Sequence, residues 1–208
     1  MATNITSVVV VSAVFLALAG CNESPNPPAA TTEPKKEAAA PPQPVTAKTA
    51  YYKMYRPVRD WAPDLVTLTV TPEEIPEMKS EDGKYGKWIA VFLSPGKRQV
   101  RTVYFTSINT GNLIKGVTMT PAEQFVPGGP NTPFVNSAFS IDSDAAYKTA
   151  YGKAKDWVDK HPDKKLAMLL SQPHRYSNPV WYFIWGDRKL GYEALVNASN
   201  GELIGGKK

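Results

Sequence analysis

Asp142-Ser143-Asp144-Ala145-Ala146-Tyr147-Lys148-Thr149-Ala150-Tyr151-Gly152-Lys153-Ala154-Lys155-Asp156-Trp157-Val158 is followed, after His161-Pro162, by Leu166-Ala167-Met168-Leu169-Leu170. Ala145, Ala146, Tyr147, Ala150, Tyr151, Ala154, Trp157 and Val158 recur near a period of 3.6, which predicts a helix with one apolar side. Asp142, Ser143 and Asp144 supply capping side chains at its start. His161-Pro162 stops it, because the residue before a proline is pushed out of the helical region. The apolar run that follows is short and reads as a strand. A second run, Trp181-Tyr182-Phe183-Ile184-Trp185, reads as another.

The same order occurs earlier in the chain. Ala50-Tyr51, Tyr55 and Arg59-Asp60-Trp61 precede Leu65-Val66-Thr67-Leu68-Thr69-Val70, and Trp88-Ile89-Ala90-Val91-Phe92 parallels residues 181–185. Thr110-Gly111-Asn112-Leu113-Ile114 parallels Asn200-Gly201-Glu202-Leu203-Ile204. These correspondences predict an α+β fold of two tandem repeats, each a helix packed on an antiparallel sheet. The repeats are expected over residues 49–119 and 141–208. Between them, 120–140 is a linker marked by Pro127-Gly128-Gly129-Pro130. Pro57 is expected to interrupt or kink the first helix. Gly111 and Gly201 are expected at positive φ in the closing hairpins.

Trp88 to Leu93 and Val180 to Trp185 do not alternate polar with apolar, so both of their faces seek cover. One face belongs under the helix. The other is expected to meet the sister repeat, the linker or a partner, which makes Trp88, Phe92, Trp181, Phe183 and Trp185 the candidate interface residues.

Toward the N-terminus, Val8 to Ala19 is an uncharged apolar run of about 12 residues, spanning about 18 Å as a helix. That falls short of the roughly 30 Å hydrocarbon core and fits a signal peptide over residues 1–20. Leu18-Ala19-Gly20-Cys21 closes the run and resembles the lipobox of bacterial lipoproteins, although Met1 to Ser7 carries no Lys or Arg. The resemblance implies that Cys21 is lipidated and becomes the mature N-terminus, with palmitate among the acyl chains expected there. Several chains together anchor stably where one would not. Asn22, rather than Asp, implies the periplasmic face of the outer membrane over inner-membrane retention. Residues 21–48 are rich in Pro, Ala and Thr and lack aromatics, so they read as a disordered, extended tether reaching up to roughly 80 Å.

The C-terminal stretch Tyr192-Glu193-Ala194-Leu195-Val196-Asn197-Ala198-Ser199-Asn200-Gly201-Glu202-Leu203-Ile204 is similar to a PepSY-type repeat, with Asn197 where that family usually carries Asp. The first repeat keeps the Gly and the aliphatics but lacks the family's Ala and Glu. The resemblance implies a small extracytoplasmic α+β module that binds or restrains peptidases and other envelope proteins. In outline, two such units also resemble β-lactamase inhibitory proteins, which grip an enzyme with an aromatic sheet face; no residue carries over from that likeness.

Composition narrows the chemistry. Of 208 residues, 42% are hydrophobic, with five Trp and ten Tyr, enough for a core in the roughly 160 residues beyond signal and tether. One cysteine, committed to the anchor, excludes intramolecular disulfides and cysteine zinc sites. A net charge of +5, spread without a basic stripe, argues against nucleic acid as a partner. His161 and His174 stand beside prolines without metal-ligand spacing, and no nucleophile elbow or phosphate loop occurs. No cofactor or metal is expected. The leading expectation is therefore a non-enzymatic, lipid-anchored envelope protein that binds a protein or peptide. Binding of a small molecule or lipid is the alternative, with a closed apolar cavity between helix and sheet as its mark. A hydrolase, built around His174, Arg175 and a carboxylate, is the remaining one.

Overall fold

The structure, a computed structural model, describes residues 41–207. The lipobox, Cys21 and most of the tether lie outside the described residues. In chain order the elements are α1 (Ala47–Val58), β1 (Val66–Glu73), β2 (Lys87–Ser94), β3 (Gln99–Thr106), β4 (Gly116–Met119), β5 (Glu123–Gln124), a short 3-10 turn (Asn136–Ala138), α2 (Ser143–Val158), β6 (Leu166–Ser171), β7 (Val180–Trp185), β8 (Tyr192–Asn197) and β9 (Leu203–Lys207). The fold is α+β. The nine strands among the described residues join one antiparallel sheet in the order β4-β3-β2-β1-β6-β7-β8-β9, with β5 pairing beside β4 on β3.

Alternation along the strands decides what each face does. Val70, Trp88, Ala90, Phe92, Val103 and Phe105 point to one side of the first half, and Met168, Leu170, Trp181, Phe183, Trp185, Ala194 and Val196 to the same side of the second. Both helices lie on that side, and all these side chains form one continuous core with Ala50, Tyr51, Met54, Ala146 and Ala150. Burying one large apolar side chain stabilises by about 1.5–3 kcal/mol, so these aromatics supply much of what holds the fold. The small Ala146, Ala150 and Ala154 let α2 sit close over the bulky Trp181, Phe183 and Trp185.

The halves repeat a distinctive contact. The Trp88 indole N–H donates to the Val45 carbonyl at 2.9 Å, and the Trp181 indole N–H donates to the Ile141 carbonyl at 3.0 Å. Each acceptor lies just before the N-cap of its helix, Thr46 or Asp142. Tyr51 stacks on Tyr55 and Tyr147 on Tyr151, with interplanar angles of 21° and 19°.

Strands β1 and β6 join the halves edge to edge, through Thr69–Ser171 and Val70–Leu170. The helices also meet at their N-termini, where two positive dipole ends converge. Asp142 answers both: its Oδ1 accepts the Ser143 N–H at 2.7 Å and the Lys48 N–H at 2.9 Å, while Ser143 Oγ accepts the Ala47 N–H at 2.8 Å. Gly83, at φ +79°, packs against the same junction; a Cβ there would lie 2.5 Å from the Ser143 carbonyl.

Several boundaries differ from the sequence expectation. Ordered structure reaches back before residue 49, since Val45 pairs with Tyr85 and Thr46 caps α1. Helix α1 runs through Pro57 to Val58: the proline sits in the last turn, where its missing N–H costs a single terminal bond. Residues 120–140 are not a free linker. They contribute β5, the 3-10 turn and two core side chains, Phe134 and Phe139. Gly111 and Gly201 do adopt positive φ, at 53° and 81°.

Candidate functional site

Trp88, Phe92, Trp181 and Phe183 are fully buried and Trp185 is 3% exposed, which corrects their assignment as interface residues. The pleat points all five toward the helices. Phe92 lies 5.5 Å from Tyr51, and Trp185 6.5 Å from Tyr147, ring centre to ring centre. A partner would have to displace a helix to reach them. Cys21 lies outside the described residues. Asp60 and Asp156 are exposed on the surface. His161 stacks on Trp157 at 4.1 Å, and its Nδ1 bonds to the Trp157 carbonyl, closing the end of α2. Among the described residues, no three His, Cys, Asp or Glu side chains converge as metal ligands.

The opposite face of the sheet carries Leu68, Val91, Leu169, Tyr182 and Ile184, and residues 125–133 cross it as a strap. Phe125 N–H donates to the Arg98 carbonyl at 2.9 Å at one end of the strap. At the other, Thr132 N–H donates to the Gln172 carbonyl and Phe134 exchanges both backbone hydrogen bonds with Thr67. Segment 131–134 therefore fills the gap where β1 and β6 diverge. His174 secures the middle: its Nε2 bonds to the Gly129 carbonyl and its Nδ1 to Thr132 Oγ1, each at 2.9 Å. Because a carbonyl only accepts, Nε2 carries the proton in that bond.

Between strap and sheet runs a trough of about 460 Å³, floored by Leu68, Thr69 and Val91 and walled by Phe125, Pro127, Pro130 and Pro133. Of its polar groups, His174, Thr132 and the Gly129 carbonyl are bonded to one another, and Thr69 and Asn131 line it as well. A second recess, also about 460 Å³, adjoins it on the second half, where Leu169, Ser171, Tyr182 and Glu193 meet Arg175, Arg188 and Lys207. The Arg175 guanidinium lies against the Tyr182 hydroxyl, whose pKa burial nevertheless raises. His174 and Arg175 thus face separate hollows, and Glu193 lines only the second. The aliphatic floor and the strap escaped the sequence reading. Their signal was present in strands apolar on both faces beside a linker carrying Phe125, Phe134 and Phe139.

No helix among the described residues is long and apolar enough to cross a membrane. No protein-family model matches the chain, and no curated protein does. Among solved structures, it is similar to a crystal structure from Clostridium difficile 630 described as a candidate lipoprotein. The two are 8% identical, with a TM-score of 0.41 over 80% of this chain and 93% of that one. A likeness that distant carries neither fold nor function across.

Proposed function

We propose that the chain is a non-enzymatic, lipid-anchored binding protein of the bacterial cell envelope, held by acylated Cys21, whose ligand is an apolar chain seated in the trough beneath the strap. The lining supports this reading. A concave apolar hollow of this size is typical of small-ligand sites. A peptide backbone laid on Leu68 and Val91 would bury N–H and C=O groups that those side chains cannot satisfy, at a cost of about 1–3 kcal/mol each. An acyl chain brings none. This favours the small-molecule or lipid alternative over the peptide one at this site, and it moves the apolar site from the helix side of the sheet to the other.

A hexadecanol bearing a photoreactive diazirine tests it. Irradiated with the full chain, it should label Leu68, Val91 or Phe125, and Leu68→Trp, which fills the trough, should lower the yield several-fold. Equal labelling of both proteins refutes the reading. The anchor has a separate test: Cys21→Ser should abolish acyl labelling and release the protein from membranes, and unchanged fractionation refutes it.

The protein-binding reading is supported at the sheet edge instead. Strand β9 offers an unpaired side with Leu203 and Ile204 exposed, as strand addition requires. Gly206→Pro, which removes an N–H on the free side of β9, should then abolish retention of a partner strand; retained binding refutes it. The repeated indole-to-carbonyl bond and stacked tyrosines support descent of the two halves from one duplicated unit, and the C-terminal hairpin supports PepSY-like ancestry for it.

A further inference from the structure

We infer that the recess beside the trough holds a phosphate-monoester head, so that the ligand is a monoacyl phosphate with its chain under the strap. This rests on the trough reading above and adds the class of head group. The two hollows share Pro130 and Asn131 as a common rim. Thr69 of the trough and Ser171 of the recess are register partners on β1 and β6, so the floors are about 5 Å apart, one strand spacing. The inferred ligand would pass this shared rim to occupy both.

Charge selects the head. Arg175, Arg188 and Lys207 line the recess against one carboxylate, Glu193. None of the three cations belongs to an ion pair among the described residues, where the pairs are Lys87–Glu73, Lys155–Asp159 and Lys164–Asp163. The Arg175 guanidinium lies over the Tyr176 ring at 4.8 Å and against the Tyr182 hydroxyl, and most of its five N–H donors remain for an acceptor. Asp187, the carboxylate beside Arg188 in sequence, is turned to its own loop, accepting the Lys189 and Leu190 N–H groups at 2.8 Å. The recess thus carries an excess of two positive charges. A phosphate monoester, with about −1.5 to −2 charges and three terminal oxygens, matches that excess. A single carboxylate would leave donors unused, and a phosphocholine would place its own cation among them.

Diazirine-bearing lysophosphatidate and lysophosphatidylcholine, each irradiated with the full chain in neutral detergent, separate the possibilities. Lysophosphatidate should label the trough and the choline probe far less. Arg175→Gln and Arg188→Gln should each lower lysophosphatidate labelling about tenfold, the ordinary loss for one charge-assisted contact. Both residues are exposed, and unchanged thermal unfolding verifies that the variants fold. Lys207→Gln, at the end of β9, repeats the test without touching either loop. Trough labelling that is equal for both probes and indifferent to these substitutions overturns the phosphate head while leaving the apolar site standing. No trough labelling by either probe, or by diazirine-hexadecanol, overturns both.

Discussion

The two faces of the sheet are built from the same strands yet do opposite things. The helix-covered face presents Trp88, Phe92, Trp181, Phe183 and Trp185, all closed against α1 and α2 with their indole N–H groups on Trp88 and Trp181 satisfied. The strap-covered face presents Leu68, Val91 and Leu169, half-buried, under a segment of Pro and Gly that leaves a hollow. Helices carry side chains that interdigitate with a sheet to crystal-like density. Pro127-Gly128-Gly129-Pro130 carries few, so it covers the face without filling it. Size and cover go together here: the indole and phenyl rings lie under helices that fill the space above them, and Leu68 and Val91 lie under a strap that does not.

Trp181→Ala tests how tightly the helix-covered face is packed. It removes a fully buried indole and orphans the Ile141 carbonyl, so it should cost about 3–5 kcal/mol in urea unfolding. A loss below 1 kcal/mol would mean that the helix face is not tightly packed. Trp181→Phe keeps most of the volume and should cost a fraction of that, isolating the hydrogen bond.

Gly83→Ala probes the junction that holds both helices onto that face. Its positive φ and the 2.5 Å approach of a Cβ to the Ser143 carbonyl put the added methyl against backbone at the α2 N-terminus. A loss of about 1–3 kcal/mol is expected, with no change in ligand labelling. Tyr51→Phe is gentler. It removes the buried 2.8 Å hydrogen bond with Thr67 Oγ1 and should cost about 1 kcal/mol, read from the same unfolding curves. Burial holds the Tyr51 hydroxyl far above its ordinary pKa, so no alkaline transition of this tyrosine should precede unfolding.

The sequence made one face far more legible than the other. Helix α2 was readable residue by residue, because the spacing of Ala146, Ala150, Ala154 and Trp157 is local information. The strands and their closing hairpins were readable for the same reason, through Gly111 and Gly201. What covers the second side of Trp88–Leu93 was not. That depends on Phe134 pairing with Thr67, 67 positions away in the chain, and on His174 reaching Gly129 and Thr132. Proline and glycine in 127–130 correctly excluded regular structure, but they do not say whether an irregular segment hangs free or lies across a sheet. The candidate interface failed on parity. Trp88, Phe92, Trp181, Phe183 and Trp185 share one side of the pleat, and an unalternating strand gives no sign of which side its helix takes.

His174→Ala removes two hydrogen bonds at an exposed position, so global stability should move by about 0.5 kcal/mol or less. The strap ends stay fastened through Arg98, Gln172 and Thr67, while the span Val126 to Asn131 loses its central tie. Local opening should therefore rise where global unfolding does not. Limited proteolysis with an enzyme that cuts after Val or Phe should nick the chain near Phe125–Val126 several-fold faster in the variant, with identical urea midpoints. Unchanged cleavage would mean that the strap is held by its ends and its proline stiffness alone, making the trough a fixed feature of the sheet rather than one that His174 keeps covered.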